Sequence, residues 1–297
     1  MTSPTSKTLK GVSQTVAGPI AVGKSGNVLA RVDGSWKIVV DDGPHTRDNA
    51  LHAVAPTDDG KRVWFAGSSG ALGAYDVTKG IKYDYTAPQG KTSTWEGITV
   101  TGTRENEVLY ITNGSGEIMR GHHDNDGCVV WDSVIKPAGG TSGSTMPAID
   151  FHDSDPSVGH SVDTSSRVFE TSDGGSTWNA VGIPDSQVGL YDVISYTNSN
   201  GKNFVYVAAG AGKIYRLDCV CGNWTPTDVG SNHLFSITRR GDDKLVAGQS
   251  GVIYEVTGTD GWEEHSSSVT ADLHEAAYGD SSSPDVIVGG GGTILER

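Results

Sequence analysis

Hydrophobic and polar positions along this chain fall into short β-prone runs punctuated by clusters of small residues. One unit recurs seven times: a β-prone run closes on small residues, usually ending in glycine, and a second β-prone run follows, at residues 21–29, 65–72, 111–119, 162–169, 208–215, 247–254 and 288–295. The residues that close the turn are Gly26, Gly70, Gly116, Ser166, Gly212, Gly251 and Gly292, and they stand 44, 46, 50, 46, 39 and 41 residues apart. A repeat of roughly 40–45 residues is the length of a propeller blade of four strands.

The blade can be parsed further. Ahead of each turn lies a segment whose first and fourth residues are usually apolar, at 9–12, 51–54, 95–98, 146–149, 190–193, 234–237 and 273–276. Its third residue (Gly11, Ala53, Gly97, Ala148, Asp192, Ser236 or Glu275) is often small, as crowding around a central axis requires, so these segments read as innermost strands. A polar hairpin leads to the second strand, the small-residue turn and the third strand. A tryptophan then follows in five blades, Trp36, Trp131, Trp178, Trp224 and Trp262, 10 to 15 residues after the turn. Its expected role is packing between blades. The second blade lacks it, and Tyr83 or Tyr85 is the expected substitute.

These units predict an all-β, seven-bladed propeller of four-stranded antiparallel blades, a single domain over residues 1–297. The blades fall near 9–40, 51–88, 95–136, 146–183, 190–229, 234–267 and 273–297. The last blade runs out after three strands. Residues 1–8 are the expected source of its fourth; the alternative is a three-stranded blade whose edge a partner covers.

Residues 171–178 match the pattern Ser/Thr-x-Asp-x-Gly-x-Thr-Trp through Thr171, Asp173, Gly175, Thr177 and Trp178, with shortened relatives from Asp33 to Trp36 and from Asp260 to Trp262. The chain therefore resembles the Asp-box propellers, a group that includes sialidases and the non-enzymatic propellers that assist photosystem II assembly. The resemblance covers nearly the whole chain at repeat level, but one box alone is complete. It implies a structural turn in which the aspartate satisfies backbone donors and the tryptophan is buried, and it says nothing for sugar cleavage.

Charge narrows the partner. The formal net charge of −14 argues against nucleic acid, which needs a basic stripe to release counterions. An acidic, Asp- and Gly-rich, Lys-poor chain resembles proteins of salt-in halophiles, so a haloarchaeal or haloarchaeal-virus setting is expected. There is no apolar run long enough to span a bilayer, and the start lacks the apolar core of a secretion signal. This predicts a soluble protein without membrane insertion, in the cytoplasm or on a virion surface. Cys128, Cys219 and Cys221 are expected to be thiols.

Several stretches imitate chemistry. Residues 18–25 match the phosphate-loop pattern, but the segment that follows is β-like, whereas phosphate cradling needs a helix start. His122, His123, Asp124 and Asp126, and likewise Asp150, His152, Asp153 and Asp155, fall at expected hairpins, where Asp and Asn form turns. Neither a metal site nor a cofactor is expected. A sialidase would need an arginine triad, a tyrosine nucleophile with a glutamate partner and an aspartate acid; the arginines here show no such grouping, so the chain is expected not to be an enzyme.

A binding site on this fold is expected around the axial opening, where the loops entering the inner strands meet the small-residue turns. That rim would carry Arg47, His52, Glu96, Tyr191, Asp192, His233, Phe235, His274 and Glu275, with loop 137–145 beside it. Such a mixture suits a protein or glycan surface. The leading expectation is a non-enzymatic recognition or assembly module, part of a larger assembly, as a surface component for virion decoration, adhesion or host recognition. The alternatives are an intracellular assembly factor and a sialidase-like glycoside hydrolase.

Overall fold

The computed structural model describes residues 2–297 except 140–142, 184–185, 199, 219–221 and 259–260. Among the described residues the strands form seven antiparallel sheets, six four-stranded and one three-stranded, each in sequential order. Helical structure is confined to single 3₁₀ turns. The innermost strands are Leu9–Ser13, Leu51–Pro56, Trp95–Thr101, Ala148–His152, Leu190–Thr197, Leu234–Arg240 and Leu273–Ala277. Each packs on the next, and the seventh packs on the first, so the sheets close into a ring of seven blades.

The core lies between blades. Val22 and Val28 of the first blade pack with Leu51 and Phe65 of the second, and Val162 and Val168 of the fourth with Leu190 and Val205 of the fifth. Because both faces of each sheet are covered by neighbours, the second strands are apolar without alternation; Arg62–Gly67 is buried along its whole length. Where the third residue of an inner strand is glycine, crowding by the next blade is the reason. A Cβ on Gly97 would lie 2.7 Å from the carbonyl oxygen of Pro147 in the next blade.

The small-residue turns place their closing residue in the left-handed region, and in five blades the residue before it as well, such as Ser250 (φ 60°) and Gly251 (φ 82°), after which the chain runs into the third strand. Glycine at the second place has a steric cause besides φ. A Cβ on Gly212 would meet the carbonyl oxygen of Gly230 at 2.1 Å, because the segment leaving the outer strand crosses there. The phosphate-loop match resolves the same way: Lys24–Gly26 is one such turn, between strands Ile20–Gly23 and Val28–Val32, with no helix.

The five tryptophans occupy one equivalent place. Trp36 pairs with Arg31, Trp131 with Gly121 and Trp224 with Leu217, each three residues beyond the first core residue of the third strand, Val28, Ile118 and Ile214. Trp178 and Trp262 directly precede outer strands whose register continues to the same place, opposite Thr171 and Val256. Each packs toward the preceding blade: Trp178 meets Phe151 edge-on, and Phe151 in turn stacks on Tyr110 of the third blade. In the second blade Lys82 fills the equivalent place, opposite Tyr75. Tyr83 and Tyr85 are not substitutes, because they pack in the core shared with the following blade, Tyr85 against Trp64.

The seventh blade stays three-stranded among the described residues. Residues 2–8 form no strand; Ser3 to Ser6 lie instead beside Gly291–Leu295, across a shallow crevice. Closure rests on the core between the seventh and first blades, where Leu9 and Leu29 pack with Val286 and Val288, and on Gln14, which binds Ser283 and the carbonyl of Pro284.

Candidate functional site at the axial mouth

A β-bulge near the start of the inner strands builds the site. In blades one, two, five, six and seven the register skips a residue between the first and third positions, leaving Lys10, His52, Tyr191, Phe235 and His274 unpaired. In the third blade the skip leaves Glu96, between Trp95 and Gly97. The fourth blade places Pro147 there, which has no N–H to offer a ladder, and its strand pairing starts at Ala148. A bulge re-aims the extra residue. Each blade therefore contributes one side chain to the lining of an axial cavity of about 540 Å³.

The ring has two unlike halves. On one side the aromatic and basic groups are continuous: Tyr191 meets Phe235 edge-on with centroids 5.3 Å apart, and Phe235 lies 5.8 Å from His274. His274 in turn stands 3.3 Å from the Lys10 ammonium. On the other side His52 Nδ1 lies 2.8 Å from Glu96 Oε2 and its Nε2 lies 3.1 Å from the Ser68 hydroxyl. Burial, reinforced by Lys10, pushes the His274 imidazole down to about 4, so at neutral pH it is uncharged.

Beneath the ring the third positions add polar groups. Asp192 accepts from the backbone N–H of Val193 and, across the blade boundary, from that of Ile237, both at 2.8 Å. Ser236 repeats the device, accepting from Ala276 N–H at 3.1 Å while donating to Glu275 Oε1 at 2.6 Å. Deeper, Asp150 accepts from Ser195 N–H at 2.8 Å. An inner strand is an edge strand, and these side chains satisfy donors that would otherwise face the channel unpaired. Burial raises the carboxyls of Asp150 and Glu275 to about 7, and burial together with the charge of Glu275 raises that of Asp192.

Of the residues that the sequence assigns to the rim, His52, Glu96, Tyr191, Asp192, Phe235, His274 and Glu275 line one cavity. His233 stands just outside it, edge-on to Tyr191 with centroids 5.7 Å apart. Arg47 does not reach it; it is exposed in the loop after the first blade, its N–H held by the carbonyl of Asp42. Sequence reasoning missed Lys10, Pro147 and Asp272, although the first two hold the same second place in the inner-strand phrase.

The opposite face carries the aspartate turn. Asp173 accepts from the Thr171 and Thr177 hydroxyls at 2.8 and 2.6 Å and from Thr177 N–H at 2.9 Å, while Gly175 N–H donates to the Thr171 hydroxyl. These bonds, that from the Thr177 hydroxyl foremost, hold the Asp173 carboxyl at about 2. Trp178 is buried directly after it. The hydrogen bonds to Asp173 from the side chains and the backbone of this turn all come from residues 171–177. The relatives at Asp260, and Cys219 and Cys221, lie outside the described residues; Cys128 is an exposed thiol.

Among the described residues no three His, Cys, Asp or Glu side chains converge as metal ligands. His122 faces Asp132 and His123 faces Glu107, while His152 stacks on His160. No described arginine lines the axial cavity. Arg31, Arg62, Arg104 and Arg120 are each paired with a carboxylate elsewhere. No described helix is long and apolar enough to cross a membrane.

Among solved structures the chain is similar to one titled "YCF48 bound to D1 peptide", with a TM-score of 0.74 and 16% identity, over 100% of this chain and 93% of that one. At that identity the likeness establishes the propeller fold. No protein-family model and no curated protein matches the sequence.

Proposed function

We propose that this protein is a non-enzymatic recognition propeller that captures a segment of a partner protein at the axial mouth and so serves in assembly. The observation that carries the reading is the ring itself. Seven bulged or pre-strand positions project one side chain each over a cavity of about 540 Å³, within the range of roughly 300–1,000 Å³ typical of ligand sites. Tyr191, Phe235 and His274 give it a rigid aromatic wall, the kind of surface that carries most of an interface's energy. The similar propeller is described with a peptide bound, which supports a protein segment as the partner class. The formal charge of −14 fits an assembly working in concentrated salt, where carboxylates stay hydrated and their repulsion is screened.

A displayed random-peptide library, panned against the wild type and against Tyr191→Ala/Phe235→Ala, tests this. Peptides selected by the wild type should lose binding to the double variant and keep it to Asp58→Ala and Asp242→Ala on the hairpin face. Binding that survives the ring changes and fails with the hairpin changes would place the site on the other face. Release of product from glycoside substrates would move the protein to the enzymes.

A further inference from the structure

We infer that the axial cavity receives a cationic side chain, arginine or lysine, of the captured segment; this rests on the axial mouth being the capture site. Four carboxylates line the cavity, Glu96, Asp192, Asp272 and Glu275, against one ammonium, that of Lys10. The remaining titratable groups of the lining are His52, which pairs with Glu96, His274, which faces Lys10, and the phenol of Tyr191. An anionic ligand would meet the four carboxylates at close range. An apolar one would seal carboxylate oxygens that are only partly satisfied, Glu275 Oε2 among them, away from water, which is costly.

Glu275 is the group best placed to receive the cation. Its Oε1 is held by the Ser236 hydroxyl and by Ala276 N–H, so the carboxylate has a fixed position. Its Oε2 takes no hydrogen bond from a described residue. The Tyr191 and Phe235 rings line the same cavity, where an aromatic ring can attract a cation, and Val54, Ile98 and Ile149 supply apolar wall for the methylene stem. Lys10 lies on the far side of His274 from Phe235, so an entering cation can follow the aromatic wall. Because burial holds Glu275 partly protonated at neutral pH, arrival of a cation should release a proton, and binding should tighten as pH rises through about 7.

The probes are N-acetyl-argininamide, N-acetyl-lysinamide and the uncharged isostere N-acetyl-citrullinamide, titrated by NMR and calorimetry. The arginine or lysine probe should bind and the citrulline probe should not. Glu275→Gln should weaken the cation by about tenfold, the size of one charge-assisted hydrogen bond. Lys10→Met should tighten it, an independent arm should the glutamine variant not fold. Equal binding of citrulline and arginine, or affinities unmoved by both substitutions, would overturn the inference. The two readings fail differently. Library peptides that need Tyr191 and Phe235 but show no arginine or lysine overturn the cation alone, whereas no ring-dependent peptide at all overturns the capture site with it.

Discussion

Trp36 of the first blade donates its indole N–H to the carboxylate of Glu296 in the last, at 2.7 Å, and the same Oε1 lies 3.1 Å from Arg31 Nε. Two residues 260 apart in sequence thereby join the chain ends. In a ring whose seventh blade has three strands, this contact does part of the work that an outer strand would do. Glu296→Ala should destabilise the fold by about 1–3 kcal/mol, because it strands a buried indole donor and a partly buried guanidinium. Urea unfolding measures it; Glu296→Gln, which keeps the acceptor, should lose less.

Trp178 tests the blade parse. Trp178→Ala should destabilise by about 3–5 kcal/mol, as for other buried aromatics. Lys82→Ala, at the equivalent place of the second blade, removes a part-exposed ion pair to Asp42 and should cost no more than about 1 kcal/mol. Denaturant midpoints for the two variants check this, and comparable losses would show that the outer positions are not equivalent in energy.

The buried carboxyls set a pH dependence with a definite sign. Asp150 and Glu275 have folded-state values raised to about 7, against 3.8 and 4.5 as ordinary values. Between these limits the folded state binds more protons than the unfolded state. Their contribution is therefore complete below about pH 4 and is lost as pH rises through about 7. Asp150→Asn and Glu275→Gln keep the acceptor oxygens and remove the titration. Each should raise the melting temperature at pH 8 by a few degrees, on the order of 1–2 kcal/mol, and flatten its fall between pH 5 and 8.

Salt should matter at the surface. With a formal charge of −14, the melting temperature should climb as KCl goes from dilute to molar, since screening relieves repulsion among carboxylates. A flat thermal-melt series would remove the argument for a halophilic setting.

Sequence alone determined the repeat, and with it the architecture. Strands alternate with turns locally, and a turn that closes on a left-handed residue favours glycine there at nearly fixed spacing, so blade count and tryptophan placement were legible without coordinates. The strand expected after the phosphate-loop match is likewise present, at Val28–Val32. Tertiary structure decided what depends on neighbours distant in the chain. The bulge that turns Lys10, His52 and Phe235 toward the axis is a mismatch between two strands, invisible in either one. The facing of Tyr83 and Tyr85 toward the following blade depends on a register one residue from the tryptophan place. Arg47 looked like a rim residue because its loop enters an inner strand, but its backbone is held by the Asp42 carbonyl and its side chain is not part of the cavity lining. The carboxylates of Asp192 and Glu275 acquire their chemistry only where blades meet, because burial and a donor from a neighbouring blade, Ile237 N–H for Asp192 and the Ser236 hydroxyl for Glu275, are properties of the closed ring and not of any repeat within it.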